Sequence, residues 1–286
     1  MDKAVMRERL REKKRIVVKV GSASITHERT GGLNLGRIER LVRVLSDLKE
    51  EGRDVILVSS GAIACGRHAM KVQTRPRDMA EKQAFAAIGQ ARLMMTYQKL
   101  FAEYSQTAAQ LLLTKNIMLE EDSRQNVSNT FSELLKLGAI PVVNENDTVS
   151  TSEIHHVETF GDNDQLAAIV AAITHADLLI LLSDIDGLFT DDPRENPEAE
   201  FIDFIPVITE RVLSMGKGSG SMVGTGGMSS KLAAARIATD SGSDMLIARF
   251  TEADVISRIL CGENIGTLFA AHPNVDFDLL SYIKTM

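Results

Sequence analysis

Six glycines occupy the twelve residues 216–227 (GKGSGSMVGTGG), and Met228-Ser229-Ser230-Lys231 follow as a helical pattern opens. Glycine lets backbone N–H groups approach an anion closely, and a helix N-terminus adds its dipole. Lys231, one turn into that helix, could reach the same phosphate. Lys19 closes the apolar run Arg15–Val20 (RIVVKV). A lysine there either snorkels to solvent or serves a charged ligand. Lys19 and Lys231 together would make a two-cation clamp. Phosphoryl transfer needs such a clamp more than covalent help, because its demands are alignment and positive charge on the transferring oxygens. The acidic groups suit a site of that kind. Asp162-Asn163-Asp164 follows Gly161, and Asp147 follows Asn144-Glu145-Asn146. A cluster like this could hold an amino group, a metal or the two lysines. Asp184 stands directly at the end of another apolar run, Asp177–Leu182.

Each feature also has a plainer reading. Glycine-rich stretches are often linkers, and a lysine at a strand end is often an edge residue. Asp162, Asn163 and Asp164 could simply cap a helix, and turn chemistry accounts for Asp147, Asp191 and Asp192. The chain has no G-x-x-x-x-G-K-[ST], and no G-x-G-x-x-G opens a helix after a strand. Walker-type nucleotide hydrolases and dinucleotide-binding dehydrogenases are thereby demoted. Cys65 and Cys261 lack a C-x-x-C partner and read as packing residues of a reduced compartment. His155-His156 sit in a polar stretch without a further ligand at metal spacing.

These residues need elements to position them. Short β-branched runs at Arg15–Val20, Asp54–Val58, Ala109–Leu113, Ala139–Val143, Asp177–Leu182, Asp244–Ala248 and Thr267–Ala270 read as strands. Helical spacing predicts helices from Leu35 to Leu48, from Asp78 to about Tyr104 with Gly89 as a weak point, and over Asp122–Leu137. Three more are predicted over Asp164–Thr174, Ser230–Ser241 and Asp254–Leu260. Residues 147–161 read as a loop and residues 186–200 as turn-rich. Continuous apolar strands alternating with helices imply an α/β fold with a mostly parallel sheet covered on both faces. Ligands in such sheets sit at the carboxyl ends of the strands. Lys19, Ser59-Ser60-Gly61, Asn144 to Asp147 and Ser183-Asp184 all fall there.

With 286 residues, 44% of them hydrophobic, the chain can bury a large core without a disulfide or metal staple. No apolar run reaches the ~18 residues of a membrane span, and the charged N-terminus has no signal-peptide core. Net charge is −7. Residues 1–15 carry seven basic and three acidic groups and read as a solvated helical lead-in. The strongly acidic remainder argues against nucleic acid.

The string LLILLSDIDGLFTDDPR (178–194), with Lys19-Val20-Gly21-Ser22, resembles the amino acid kinase family. VSSGAIACG (58–66), PVVNENDTVS (141–150) with GDNDQLAA (161–168), and GSMVGTGGMSSK (220–231) narrow the resemblance to the members that phosphorylate glutamate. The resemblance covers roughly residues 15–272. It implies a three-layer αβα sandwich around a mostly parallel sheet, with residues 15–174 serving glutamate and 175–272 serving ATP. A basic lead-in (1–14) and a tail (273–286) would flank that domain. The implied reaction is phosphorylation of the γ-carboxylate of L-glutamate by ATP with Mg²⁺, as the first step of proline biosynthesis in the cytoplasm. Lys19 and Lys231 would bracket the transferring phosphoryl, and Asp164 would orient both. Ser60, Asp147 and Asn163 would bind glutamate. Lys19, Ser183, Asp184, Thr225, Gly226, Gly227, Met228, Ser229, Ser230 and Lys231 would form the nucleotide site, with no metal held by protein side chains alone. Proline as inhibitor, a homo-oligomer and functional coupling to glutamyl-phosphate reductase are expected on the same ground, with no membrane or nucleic-acid partner. Two features depart from the family pattern. His155–Phe160 is longer than the usual link between the acidic motifs, which bears on proline sensitivity. The chain ends at Met286, without room for the second, RNA-modification-type (PUA) domain of many relatives.

Two alternatives stand beside this reading. One is another kinase of the family, acting on acetylglutamate or UMP. The paired NEND and GDND motifs speak against it. The other is a non-catalytic subunit that senses glutamate or proline, and the presence of Lys19, Lys231 and Asp164 speaks against that.

Overall fold

A computed structural model describes residues 2–74, 76–149, 163–216 and 227–285. The apolar runs form the strands β1 (Arg15–Val20), β2 (Asp54–Ser59), β3 (Ala108–Leu113), β4 (Ile140–Glu145), β5 (Leu178–Ser183), β6 (Leu188–Phe189), β7 (Phe201–Ile202), β8 (Phe204–Ile205), β9 (Asp244–Arg249) and β10 (Thr267–Phe269). Between them lie α1 (Lys3–Arg9), α2 (Ser22–Ile25), α3 (Leu35–Glu50), α4 (Ala62–Ala69), α5 (Met79–Glu103), α6 (Lys115–Leu119), α7 (Glu121–Lys136), α8 (Asn163–Thr174), α9 (Glu210–Ser214), α10 (Met228–Asp240), α11 (Val255–Leu260) and α12 (Leu279–Thr285). Among the described residues one sheet has eight strands in the order β3-β4-β2-β1-β5-β9-β10-β8. The first six run parallel, and β10 turns antiparallel to β9. β6 and β7 pair separately as a small antiparallel ribbon across the turn-rich stretch.

Side chains alternate across a strand, so each central strand feeds two cores. Ile16, Val18 and Val20 of β1, and Leu178, Ile180 and Leu182 of β5, pack into a core that includes residues of α3, α5 and α11. Val17, Leu179 and Leu181 face the opposite core, with residues of α7, α8 and α10. This is why β1 and β5 read as unbroken apolar runs: both faces are dry. Lys19 takes the same face as Val17 and therefore points toward the α8 and α10 layer.

Two expectations are corrected here. The basic lead-in is helical and exposed along much of its length, but one face of it is docked. Met6 and Leu10 are core residues, and the buried Arg7 donates to the carbonyls of Ile265 (2.6 Å), Gly266 (2.8 Å) and Asp203 (2.9 Å). A guanidinium with five donors can tie three loop carbonyls at once, so this start is a clamp on the segment entering β10. Of the two cysteines only Cys65 packs; Cys261 is exposed.

Candidate active site

Lys19 and Asp164 reach each other because β1 places the lysine on the α8 face and Asp164 lies in the first turn of α8. Lys19 Nζ is 2.5 Å from Asp164 Oδ1. Lys231, in the first turn of α10, donates to Asp164 Oδ2 at 2.9 Å. All three side chains are buried, with Asp164 only 1% exposed. Burial alone would raise the Asp164 carboxyl. The charges and hydrogen bonds of Lys19 and Lys231 outweigh it and hold the group below the ordinary carboxylate range. Among the described residues two ammoniums meet one carboxylate, in a desolvated place. Two buried cations held side by side suit an anionic ligand.

The second part of the site is a chain of hydrogen bonds two strands away. Asn144, at the end of β4, accepts from the backbone N–H of Glu145 (2.9 Å) and donates to Gln90 of α5 (2.9 Å). Asn163 donates to Asn144 Oδ1 (3.0 Å) and to Ser60 Oγ (2.7 Å). Asp147 stands beyond β4, largely desolvated. That desolvation raises its carboxyl above the ordinary value of 3.8, and the charge of Lys82 opposes the rise.

Lys19, Ser60, Asp147, Asn163, Ser183, Asp184 and Lys231 line one cavity of about 460 Å³, joined by Gly61, Lys82 and Asn144. The seven residues, five predicted at strand ends and Asn163 and Lys231 at the openings of helices, are therefore brought together. Asp164 lies beneath, holding the two lysines. Ser183 donates to Asp184 (3.0 Å) at the end of β5. Gly227 is the N-cap of α10, and Met228, Ser229 and Ser230 form its first turn. Among the described residues the buried Ser230 Oγ has no hydrogen-bond partner. That hydroxyl, the helix N-terminus and the two ammoniums all suit a phosphate. Thr225, Gly226, Asp162 and the His155–Phe160 stretch lie outside the described residues. Lys82 and Gln90 were not singled out from sequence, because in α5 they read as ordinary members of an amphipathic helix. Asp191 and Asp192 do make turn contacts: Asp191 accepts from the Asp192 N–H (2.9 Å), and Asp192 holds Arg194 (2.8 Å).

Comparison with known proteins gives a consistent result. The profile of the Amino acid kinase family matches residues 14–249. The glutamate 5-kinase of Clostridium perfringens is 48% identical over 266 residues, which is 93% of this chain and 98% of that one. That of Enterococcus faecalis is 48% identical over 264 residues, 92% of this chain and 97% of that one. That of Carboxydothermus hydrogenoformans is 50% identical over 264 residues, covering 92% of this chain and 70% of that one. Among solved structures, the UMP kinase from Bacillus anthracis superposes with a TM-score of 0.61 at 16% identity, over 91% of this chain and 96% of that one. The isopentenyl phosphate kinase of T. acidophilum gives 0.60 at 17%, over 90% of this chain and 100% of that one. At such identities these two speak to the fold alone.

Proposed function

We propose, from the premise that this chain belongs to the amino acid kinase family, that it uses ATP to phosphorylate the γ-carboxylate of L-glutamate. The observation that carries the reading is the buried Lys19–Asp164–Lys231 cluster, two ammoniums brought together by one carboxylate, with both lysines lining the same cavity as Ser60, Asp147 and Asn163. A carboxylate with an ordinary pKa of about 4.3 is already ionised at neutral pH, so the nucleophile needs no general base. Its oxygen forms a bond to the γ-phosphorus as the bond to the ADP oxygen breaks, giving L-glutamyl 5-phosphate and ADP. The two anions must be brought together, and Lys19 and Lys231 neutralise the charge that builds on the transferring oxygens. Asp164 keeps both ammoniums aimed at that point.

In this reading residues 15–174 hold glutamate and residues 175–272 hold ATP. Ser183, Asp184 and the segment Thr225, Gly226, Gly227, Met228, Ser229, Ser230 and Lys231 form the nucleotide side. Mg²⁺ enters with ATP and supplies positive charge on the phosphate oxygens. It needs only one or two protein carboxylates, and Asp184, exposed at the cavity, would hold it. The product is a mixed anhydride, which fits prompt consumption by glutamyl-phosphate reductase on the way to proline. A homo-oligomer and a cytoplasmic location complete the reading. Among the described residues no helix is long and apolar enough to cross a membrane. An ADP-release assay against glutamate, N-acetylglutamate, aspartate and UMP tests it. Turnover with glutamate is expected, and turnover with UMP or N-acetylglutamate in its place would overturn it.

Asp147 and Asn163 then read the amino-acid end of the substrate. Asp147→Ala should raise the glutamate KM at least tenfold, about 1.4 kcal/mol for a lost charged hydrogen bond, and leave the ATP KM nearly unchanged. Proline shares the α-nitrogen and α-carboxylate but has nothing to phosphorylate. It should compete with glutamate and lose potency in the same variant. Equal rises in both Michaelis constants would contradict the assignment.

The raised Asp147 carboxyl gives this contact a pH dependence. An ammonium is held only by the ionised form. Glutamate affinity is therefore full above the raised pKa and lost as pH falls through it, earlier than for an ordinary carboxylate. At saturating ATP, kcat/KM for glutamate should show that acid limb, and Asp147→Asn should remove the contribution of Asp147 and so change its position. An unmoved limb would remove Asp147 from substrate binding.

A further inference from the structure

Resting on the glutamate reading, we propose that Lys82 is the residue that pairs with the substrate's α-carboxylate. The hydrogen-bond inventory of the pocket leads to it. The Glu145 backbone N–H can only donate, so the Asn144 oxygen that receives it is an acceptor. Asn163 must then turn its NH₂ toward Asn144, and both amide hydrogens are spent, one there and one on Ser60. What Asn163 still offers a ligand is its carbonyl oxygen. Asp147 offers carboxylate oxygens to the same cavity. This side of the pocket is thus rich in acceptors, which suit an ammonium and repel a carboxylate.

An α-amino acid brings both groups on one carbon, so a cation is needed close by. Lys19 and Lys231 are committed to Asp164 at the phosphoryl end. Lys82 lies in the first turn of α5, lines the same cavity, and is near enough to Asp147 for its charge to act there. Among the described residues neither Lys82 nor Asp147 forms an ion pair, so both charges face the cavity without cancelling in direct contact. A cation and an anion held apart across a pocket match a zwitterion. The backbone at the start of α4 lines the same wall and could share the carboxylate, but it carries no full charge.

The test uses two substrates, glutamate and glutamate α-amide, in which the α-carboxylate is a carboxamide and the γ-carboxylate is intact. Wild type should prefer glutamate by at least tenfold in kcat/KM. Lys82→Met should raise the glutamate KM at least tenfold, with the loss on KM rather than kcat, and should shift the α-amide by less than threefold, so that the preference collapses. Lys82→Arg should retain most of the preference. Lys82→Gln, which keeps a hydrogen bond but no charge, should lose it, and calorimetric titration with glutamate should follow the same order. Equal losses on both substrates, or a wild type that does not distinguish them, would overturn the role of Lys82. Absence of turnover of either compound by wild type would instead overturn the glutamate reading beneath it.

Discussion

Replacing Lys231 or Lys19 by methionine should lower kcat by about 10²–10³, the effect of removing one oxyanion-stabilising donor, while the protein stays as stable as wild type or gains stability. Methionine keeps the apolar stem that both lysines bury, so the charge alone is removed. Stability should survive because of the charge balance around Asp164. Wild type holds two ammoniums against one carboxylate, at 2.5 and 2.9 Å. Either single variant leaves a neutral pair with its ion contact intact. Asp164→Ala is the opposite case, since it leaves two buried ammoniums side by side without the carboxylate they share. Breaking a buried pair in this way costs about 3–5 kcal/mol. The contrast separates a catalytic cluster from a structural one. Thermal melts and saturation kinetics on the three variants check it. Lysine variants that unfold as easily as the aspartate variant, or that keep kcat within tenfold of wild type, would reduce the cluster to a structural ion pair. The sign of the Asp164 shift adds a further condition. A carboxyl held below its ordinary value contributes stability above that value and loses it only as pH falls through the lowered one. The cluster therefore stays ionised in the range where Asp147 already takes up its proton, and the acid limb of kcat/KM should be unchanged by Lys231→Met.

The sheet was legible because its strands are dry on both faces. Arg15–Val20, Asp54–Ser59 and Leu178–Ser183 give no alternation to confuse with a helix, and each apolar run gives way to polar residues at its carboxyl end. That boundary is also why Lys19, Ser60, Asp147 and Ser183 could be placed near one another before any geometry was known. The short helix α4 was missed because its sequence, AIACGRHA, has no capping side chain and a glycine in its middle. The antiparallel turn of β10 could not be read either. It spans three residues, and its direction is set by the loop that Arg7 clamps. Lys82 and Gln90 were invisible for a different reason. Each sits on a long helix whose distance from the strand ends only the packing of α5 decides. Gln90 becomes part of the site through one bond to Asn144, and no spacing in the sequence announces that bond.

Gly89 was read as a weak point in a long helix, and the packing gives it the opposite meaning. A Cβ built on Gly89 would lie 1.7 Å from the Ala62 carbonyl oxygen, and one on Gly66 would lie 1.9 Å from that of Phe85. The two contacts are reciprocal: each helix sets a glycine against the backbone of the other, four residues apart on both (62 and 66, 85 and 89). Backbone cannot swing aside as a side chain can, so a single methyl must push α4 and α5 apart. Gly89→Ala and Gly66→Ala should each cost at least the upper end of the about 1–3 kcal/mol range for overpacking, or roughly 6–12 °C in Tm for a chain of this size class. The displacement also reaches the site. Ser60 and Gly61 lead directly into α4, and Gln90 follows Gly89, so separating the helices pulls Ser60 from Asn163 and Gln90 from Asn144. The glutamate KM of any folded fraction should rise with the loss of stability. Gly36→Ala is the matched comparison. Gly36 lies exposed in α3, and its nearest neighbour is 3.8 Å away. There the methyl meets no backbone and relieves a helix of glycine's entropy cost, so stability should rise by about 0.5–1 kcal/mol. Calorimetric melts of the three variants decide the matter: a Gly89→Ala protein as stable as wild type would mean that α4 and α5 can separate freely, and that their contact does not set the geometry of the pocket.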